Sequence, residues 1–120
     1  MVKNIKIYQE KDGYVPLLDW MDKLPVKVQD KCIEKIERLS VYGNQLRRPH
    51  CDYLEEGIWE LRIQHQRVNY RILYFFHGNQ VVILSHGLKK TKTVPKKEIK
   101  KAIERRDRYI QDPKSHTYKE

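Results

Sequence analysis

The fold is decided by three runs of sequence: Gly57-Ile-Trp-Glu-Leu-Arg-Ile-Gln64, Arg67-Val-Asn-Tyr-Arg-Ile-Leu-Tyr-Phe-Phe76 and Val81-Val-Ile-Leu-Ser-His-Gly-Leu-Lys-Lys-Thr91. Each run is rich in β-branched and aromatic residues, and short polar breaks separate them. Much of their sequence alternates with a period of two, which is typical of strands with two distinct faces. The three runs therefore predict an antiparallel meander.

The alternation divides these strands between two faces. Side chains that are entirely apolar share one face: Trp59, Leu61, Ile63, Tyr70, Ile72 and Tyr74. Successive strand residues point to opposite sides, so Arg62, Arg67 and Arg71 share the other face. We therefore expect one face to be apolar throughout, and the other to be half apolar and half cationic.

The turn between the second and third strands predicts their register. Gly78-Asn79 suits a two-residue hairpin loop, because both residues tolerate positive φ. Pairing outward from this loop sets Phe76 opposite Val81, Tyr74 opposite Ile83 and Arg71 opposite His86. The arginine face then also carries His86 and Lys90, and its apolar half needs a cover: Leu73, Phe75, Val82 and Leu84. A bulge at Gly87 would decide whether Lys89 or Lys90 faces the arginines.

The remaining elements place this meander in an α+β domain. Residues 2–8 predict an opening strand, Asp12-Gly13 a turn, and residues 15–24 a short helix. A second helix is expected from Pro25 to about residue 41, with an apolar stripe of Val28, Cys32, Ile33, Ile36 and Leu39. Residues 44–56 are expected to be irregular. A last helix should begin at an N-cap Thr93 with Pro95 in its first turn, and its buried residues should be Ile99, Ala102, Ile103 and Ile110.

The predicted element order is thus β-α-α-β-β-β-α, with an antiparallel-rich sheet packed by helices on its apolar face. We expect a single domain over residues 1–112 and a polar, frayed tail over 113–120.

The net charge of +9 indicates a polyanionic partner. Residues 89–108 hold 10 Lys or Arg against 3 Asp or Glu, so most of the excess lies in one segment. Cys32 is expected to be a buried thiol, and the spacing of the two cysteines favours neither a disulfide framework nor a zinc site. Neither a signal peptide nor a membrane span is evident, so a cytoplasmic location is expected.

The cationic face is suited to cutting RNA without a metal. When the 2′-OH of RNA attacks the neighbouring phosphate, the reaction needs a proton acceptor, cations and a proton donor. Arg62 and Arg71 could bind the phosphate, His86 titrates in the useful range, and Lys89 or Lys90 could stabilise charge. A structural reading stands beside this one, because strand arginines usually bridge carboxylates and Glu60 is expected opposite Arg71.

Four ordered blocks of sequence resemble the RelE/ParE toxin superfamily, and in particular its HigB-like, phage-derived branch. They are Trp-Glu-Leu-Arg-Ile (59–63), Tyr-Arg-Ile-Leu-Tyr-Phe (70–75), His-Gly-Leu-Lys-Lys-Thr (86–91) and Pro-x-x-Glu-Ile-x-x-Ala (95–102). The resemblance covers roughly residues 1–110.

The resemblance implies the toxin of a type II toxin–antitoxin pair, an endoribonuclease that cleaves mRNA on the ribosome and needs no cofactor or metal. Its implied catalytic residues are Arg62, Arg71, His86, Lys89 and Lys90. RNA-binding residues are expected to be Arg67, Lys92, Lys96, Lys97, Lys100 and Lys101. The implied partners are mRNA, the ribosome and an antitoxin with a helix-turn-helix domain.

Two rival functions remain open at the level of sequence. ParE-like members of the superfamily share the fold and poison DNA gyrase by binding it, without enzymatic activity. The other rival is an inactive nucleic-acid-binding module. The set of Arg62, Arg71 and the paired lysines favours the nuclease, because a gyrase binder needs no phosphate-binding constellation on its sheet.

Overall fold

A five-stranded mixed sheet with helices on both faces forms the fold, as seen in a computed structural model that describes residues 4–78, 81–90 and 92–119. The elements are β1 (Ile5–Ile7), α1 (Pro16–Asp22), α2 (Val26–Tyr42), β2 (Cys51–Glu55), β3 (Ile58–His65), β4 (Val68–His77), β5 (Val81–Lys90) and α3 (Lys96–Gln111). A short 3₁₀ turn, Gly43–Gln45, follows α2. The predicted α+β class is confirmed.

The strand order across the sheet is β1-β5-β4-β3-β2. Strands β2 to β5 form antiparallel neighbours, which confirms the meander, and β1 pairs in parallel with β5. The opening strand therefore lies beside the meander as predicted, although residues 2 and 3 lie outside the described part of the chain. The predicted irregularity of residues 44–56 is wrong over Cys51–Glu55, which pair with β3.

The register of β4 and β5 differs from the prediction. Phe76 pairs with Val82, and Tyr74 with Leu84. His77 pairs with Val81, so three residues separate the paired ends of the strands where a two-residue loop was predicted. Asn79, which belongs to the predicted turn, lies outside the described residues. The shift puts Val82 and Leu84 on the opposite face from the one predicted.

A bulge at Ser85, rather than at Gly87, then moves the register by one more residue. Leu73 pairs with His86, and Arg71 with Leu88, so the predicted pairing of Arg71 with His86 is wrong. Opposite residues of an antiparallel pair share a face, so the bulge returns His86 to the arginine face. The two errors therefore cancel for His86 but not for the residues before it.

Each face of the sheet has its own apolar core. Helices α1 and α2 pack on the face that includes Leu61, Ile72 and Tyr74. Helix α3 covers the other face with Ile99, Ala102 and Tyr109, which pack against a buried cluster of Leu73, Phe75 and Ile83. Helices on one face alone were predicted, so α3 is a correction, and it supplies the cover that the apolar half of the arginine face requires.

The helices differ from the prediction in the N-cap of α3 and in which of their apolar residues are buried. Pro95 is the N-cap residue of α3, so the predicted capping role of Thr93 is wrong. Ile33 and Ile110, both expected inside, are 47% and 53% exposed, while Tyr109 is buried. Which apolar residues beside the helix stripe are buried therefore depends on how the helix packs against the sheet, and not only on their helical spacing.

The segment after α3 folds back onto β1, contrary to the predicted frayed tail. His116 is buried and stacks on Tyr8 with ring centroids 5.1 Å apart. The N–H of Tyr118 donates to the carbonyl of Ile7 at 2.8 Å. These contacts fix the tail along the edge of the sheet.

Candidate functional site

Two arginines lie side by side on the face that α3 leaves partly open. Arg62 on β3 pairs directly with Arg71 on β4. Between them, the carboxylate of Glu60 accepts a hydrogen bond from Nε of Arg62 at 2.7 Å and from Nε of Arg71 at 3.0 Å. Glu60 is buried, so this bridge fixes both guanidinium groups in one orientation.

Asp52 on β2 extends the cluster toward the edge of the sheet. Its Oδ2 accepts from Nη2 of Arg62 and from Nη2 of Arg48, each at 3.0 Å. Arg48 binds it through two atoms, since Nε also donates to Oδ1 at 3.1 Å. The hydrogen bond from Arg48 is the first cause of a lowered Asp52 pKa, so this carboxylate is ionised at neutral pH.

The structural reading of the arginines is thus supported in part by geometry. Glu60 pairs with Leu73 and not, as predicted, with Arg71, but it reaches Arg71 diagonally. The arginine side chains are nevertheless open to different degrees, with Arg62 34% exposed and Arg71 12% exposed. Both also line a depression, so their ion pairs leave a surface that an anion can approach.

This depression has a volume of about 360 Å³ and lies where β3 extends past the start of β2. Besides the two arginines, its lining includes Lys35 from α2 and Asn69 from β4. Nζ of Lys35 lies 2.8 Å from Nδ1 of His50. Three cationic side chains therefore surround one concave surface, and a histidine contacts one of them.

Lys35 and His50 have shifted acid–base properties. Burial, followed by the charge of Arg38, lowers the pKa of Lys35 below its usual value. Burial, followed by the charge of Lys35, lowers the pKa of His50. His50 is then neutral at pH 7, where the ammonium of Lys35 donates to Nδ1; when Lys35 loses a proton, Nδ1–H donates to Nζ and Nε2 becomes an acceptor.

A comparison with protein families shows which family the chain belongs to. A family model described as "Phage derived protein Gp49-like (DUF891)" matches residues 19–107. This chain belongs to the Gp49-like family. The family is associated with RelE-type and toxin-like proteins, in agreement with the resemblance found in the sequence. A comparison with curated proteins finds no match.

In this Gp49-like protein, His86 lies beneath α3. Its Nε2 is 3.1 Å from Oε1 of Glu98, and its Nδ1 is 2.8 Å from Oγ of Ser85. Burial, followed by the charge of Arg105, lowers the pKa of His86 to about 4. The ring is therefore neutral at pH 7 and ties β5 to α3, a position that favours a structural role over the catalytic one expected from sequence.

The two lysines that follow His86 on β5, Lys89 and Lys90, have register positions on opposite faces of the sheet. Lys89 is exposed and pairs with Tyr70, so it belongs to the face opposite Arg71. The backbone of Lys90 pairs with Asn69 on the arginine side, while its side chain lies outside what the structure describes. Of the paired lysines, only Lys90 has a register position beside the arginines. Tyr70 and Tyr74 are buried on the opposite face, as predicted.

The expected RNA-binding residues lie on the surface at two places. Arg67 is exposed in the turn between β3 and β4. Exposed lysines precede or belong to α3: Lys92, Lys96, Lys97, Lys100 and Lys101. The structure thus brings together Arg62 and Arg71 and keeps the α3 lysines as a separate basic surface.

Lys35 and His50 were missed in the sequence. Lys35 lies within an ordinary amphipathic helix, and His50 lies in residues 44–56, which were expected to be irregular. The available signal was a histidine just before a strand that borders the arginine strand. Because β2 was not predicted, that signal could not be used.

Among residues 4–78, 81–90 and 92–119, the structure contains no group of three or more His, Cys, Asp or Glu side chains arranged to hold a metal. Within the same ranges, no helix is long and apolar enough to cross a membrane. Cys32 is a buried thiol as predicted, and burial raises its pKa to about 11, so it is protonated at neutral pH.

Proposed function

We propose that this Gp49-like protein is a HigB-like toxin of a type II toxin–antitoxin pair, and that it cleaves mRNA as a metal-independent endoribonuclease, on the ribosome. The observation that carries the proposal is the convergence of Arg62, Arg71 and Lys35 on one depression. Its volume of about 360 Å³ falls within the range of small-molecule sites and accommodates a phosphate with its neighbouring riboses.

The arginines supply the charge that the reaction requires. Lys35, Arg48, Arg62 and Arg71 together outnumber Glu60 and Asp52 by two charges at neutral pH. Glu60 fixes Nε of both arginines, so neither guanidinium has to be ordered when a phosphate arrives. Donors oriented in advance stabilise a pentacoordinate phosphorane better than mobile ones do, because they need no reorganisation during the reaction.

Lys35 and His50 carry the proton transfers in this proposal. The 2′-oxygen forms a bond to phosphorus and loses its proton to the Lys35–His50 pair. The bond from phosphorus to the 5′-oxygen breaks, and that oxygen takes a proton from the pair. The products are a 2′,3′-cyclic phosphate and a 5′-hydroxyl, and the pair returns to its starting protonation state.

The partner that restrains such an enzyme is proposed to be an antitoxin with a helix-turn-helix domain, as the resemblance implies. The sheet face first expected to offer apolar surface is covered by α3, so the open part of that face is the arginine cluster and its surroundings. An antitoxin that binds there should present acidic side chains, because basic side chains would be repelled by the arginines. Co-expression of the adjacent reading frame should then restore growth.

Loss of either arginine tests the site. Arg62→Ala and Arg71→Ala should each slow mRNA cleavage by roughly 10²–10³, the usual effect of removing one charge-stabilising donor. Cleavage is measured by primer extension in a purified translation system, and growth arrest is measured in cells. Arg108→Ala is the matched control, because Arg108 binds Glu10 at 3.4 Å on a different surface.

Folding has to be separated from chemistry in this test, since Arg71→Ala leaves Glu60 with one arginine. Circular dichroism and the thermal midpoint should show a folded protein for each variant. Full cleavage by a folded Arg62→Ala/Arg71→Ala double variant would rule out the proposed site. Growth arrest without RNA cleavage in the unaltered protein would point to a non-enzymatic toxin instead.

A further inference from the structure

A second depression adjoins the arginine cluster along the outer edge of the sheet. It has a volume of about 540 Å³, and its lining includes Arg47, Arg48, Tyr53 and Trp59. Arg47 and Arg48 precede β2, Tyr53 lies on β2, and Trp59 lies opposite Tyr53 on β3. Arg48 therefore belongs both to this depression and to the arginine cluster.

The aromatic pair in this depression is ordered but open. The rings of Tyr53 and Trp59 meet edge to face, with centroids 5.1 Å apart and an interplanar angle of 72°. The hydroxyl of Tyr53 accepts a hydrogen bond from the N–H of Gly57 at 2.9 Å, which fixes the ring across the turn between β2 and β3. Tyr53 remains 49% exposed, so a flat apolar group can contact it without rearranging the sheet.

The charge around these rings is positive and continuous with the arginine site. Arg47 is exposed and donates to the carbonyls of Asn44 and Leu46, which leave its charge unneutralised. Arg48 and Arg62 bind the same oxygen of Asp52 at 3.0 Å each. Tyr53 and Trp59 lie on the sheet face opposite Arg62 and Arg71. A chain of phosphates can therefore pass from one depression to the other around the edge strand β2, beside Arg48.

We propose that this depression binds an unpaired nucleotide next to the scissile phosphate, with its base stacked on Tyr53 and its phosphate beside Arg47. The inference rests on the proposed function, because it extends the same RNA path by one subsite. Aromatic rings beside arginines suit single-stranded nucleic acid, since every base has a stacking face and every linkage carries a charge. A peptide added to the edge of β2 would use backbone hydrogen bonds and would need neither the ring nor the arginines.

The test measures binding apart from cleavage. The probe is a short, fluorescently labelled RNA with 2′-O-methyl groups, which cannot undergo attack by its own 2′-oxygen. Tyr53→Leu should weaken binding of this probe to the protein roughly tenfold, as loss of one stacked base does. Tyr53→Phe should bind like the unaltered protein, and Tyr14→Leu is the matched control because Tyr14 is 47% exposed in the segment between β1 and α1.

A probe with an abasic position completes the design. If Tyr53 stacks on the missing base, Tyr53→Leu should no longer weaken binding of this probe. Arg47→Gln should reduce the dependence of log affinity on log salt by about one phosphate contact. Binding of the intact RNA that is unchanged in Tyr53→Leu, or an equal loss with the abasic probe, would overturn the subsite even if cleavage occurs. Stacking that persists without any cleavage would instead count against the proposed enzyme alone.

Discussion

At the scale of single residues, Lys35 and His50 join α2 to the start of β2 at the border of the arginine cluster. Their contact, 2.8 Å between Nζ and Nδ1, couples two groups whose pKa values are both lowered by burial. Shifted pKa values of this kind are typical of groups that transfer protons in active sites. The pH dependence of cleavage therefore reports on these two side chains.

We expect the cleavage rate to be bell-shaped against pH. Activity should fall as the pH drops through the lowered pKa of His50, because protonated His50 cannot accept a proton. It should also fall as the pH rises through the lowered pKa of Lys35, because the neutral amine lacks the proton needed by the leaving oxygen. Single-turnover cleavage across a pH series measures both limbs.

Variants assign each limb to its residue. His50→Gln should lower the rate by roughly 10²–10⁴ and remove the acidic limb, within the usual range for proton-transfer catalysis. Lys35→Arg keeps a positive charge and should remove the alkaline limb. His77→Gln is the control, since His77 lies at the opposite end of β4 from Asn69 and packs against Tyr109 of α3. A profile that is unchanged in both variants would show that other groups transfer the protons.

At the scale of elements, α1 packs closely on β5 because Gly87 of β5 has no side chain. Gly87 lies under the indole of Trp20, and a Cβ atom there would be well inside van der Waals contact with Cε3 of that ring. Trp20 also contacts Tyr70 edge to face, with centroids 6.3 Å apart, so it has little room to move. Gly87 thus sets the distance between helix and sheet.

Adding one methyl group at this position should destabilise the protein. Gly87→Ala is expected to lower the free energy of unfolding by roughly 1–3 kcal/mol or more, because the strand and the indole cannot both keep their positions. Urea denaturation measures the change. In a Trp20→Leu background the same substitution should cost much less, and equal costs in both backgrounds would mean that Trp20 is not the obstacle.

At the scale of the whole molecule, the surplus of positive charge has a defined location. The exposed lysines of α3 form a surface apart from the arginine cluster, and two of them have nearby carboxylates. Nζ of Lys96 is 3.8 Å from Glu55, and Nζ of Lys101 is 3.5 Å from Glu98. Exposed pairs of this kind contribute little to stability, so these lysines remain available to an external polyanion.

Charge reversal on α3 tests whether this surface binds ribosomal or messenger RNA. Replacing Lys96, Lys97, Lys100 and Lys101 by Glu should weaken ribosome association and flatten its salt dependence, because fewer counterions are released. A control with the same net charge replaces Lys11, Lys23, Lys27 and Lys114, which are exposed elsewhere. If both sets weaken binding equally, the effect belongs to total charge and α3 has no special role.

Much of the sheet was predictable because alternation is a local property. The faces of β3 and β4 follow directly from their period of two, and Arg62 and Arg71 were placed together from it. The register of β5 was not predictable, because one loop residue and the bulge at Ser85 each shift the pairing by one. Neither event leaves a distinct pattern among such uniformly apolar residues.

The candidate site was predictable only where it depends on strands. Glu60 was recognised as a partner of Arg71, although its place in the register was not. Lys35 and His50 meet because α2 packs against β3 and the N–H of Arg62 on β3 donates to the carbonyl of His50, just before the unpredicted strand β2. Long-range contacts of this kind depend on tertiary packing, so no local period indicates them.

The parallel pairing of β1 with β5 also bears on the order in which the sheet assembles. Strands β2 to β5 follow one another in the chain and across the sheet, so each can pair with a neighbour soon after it is synthesised. Strand β1 is made first, yet its partner β5 is separated from it in the chain by α1, α2 and the strands β2 to β4. Contacts this distant in sequence are slow to form. We therefore expect β1 to join last, which makes this edge of the sheet the natural starting point for unfolding.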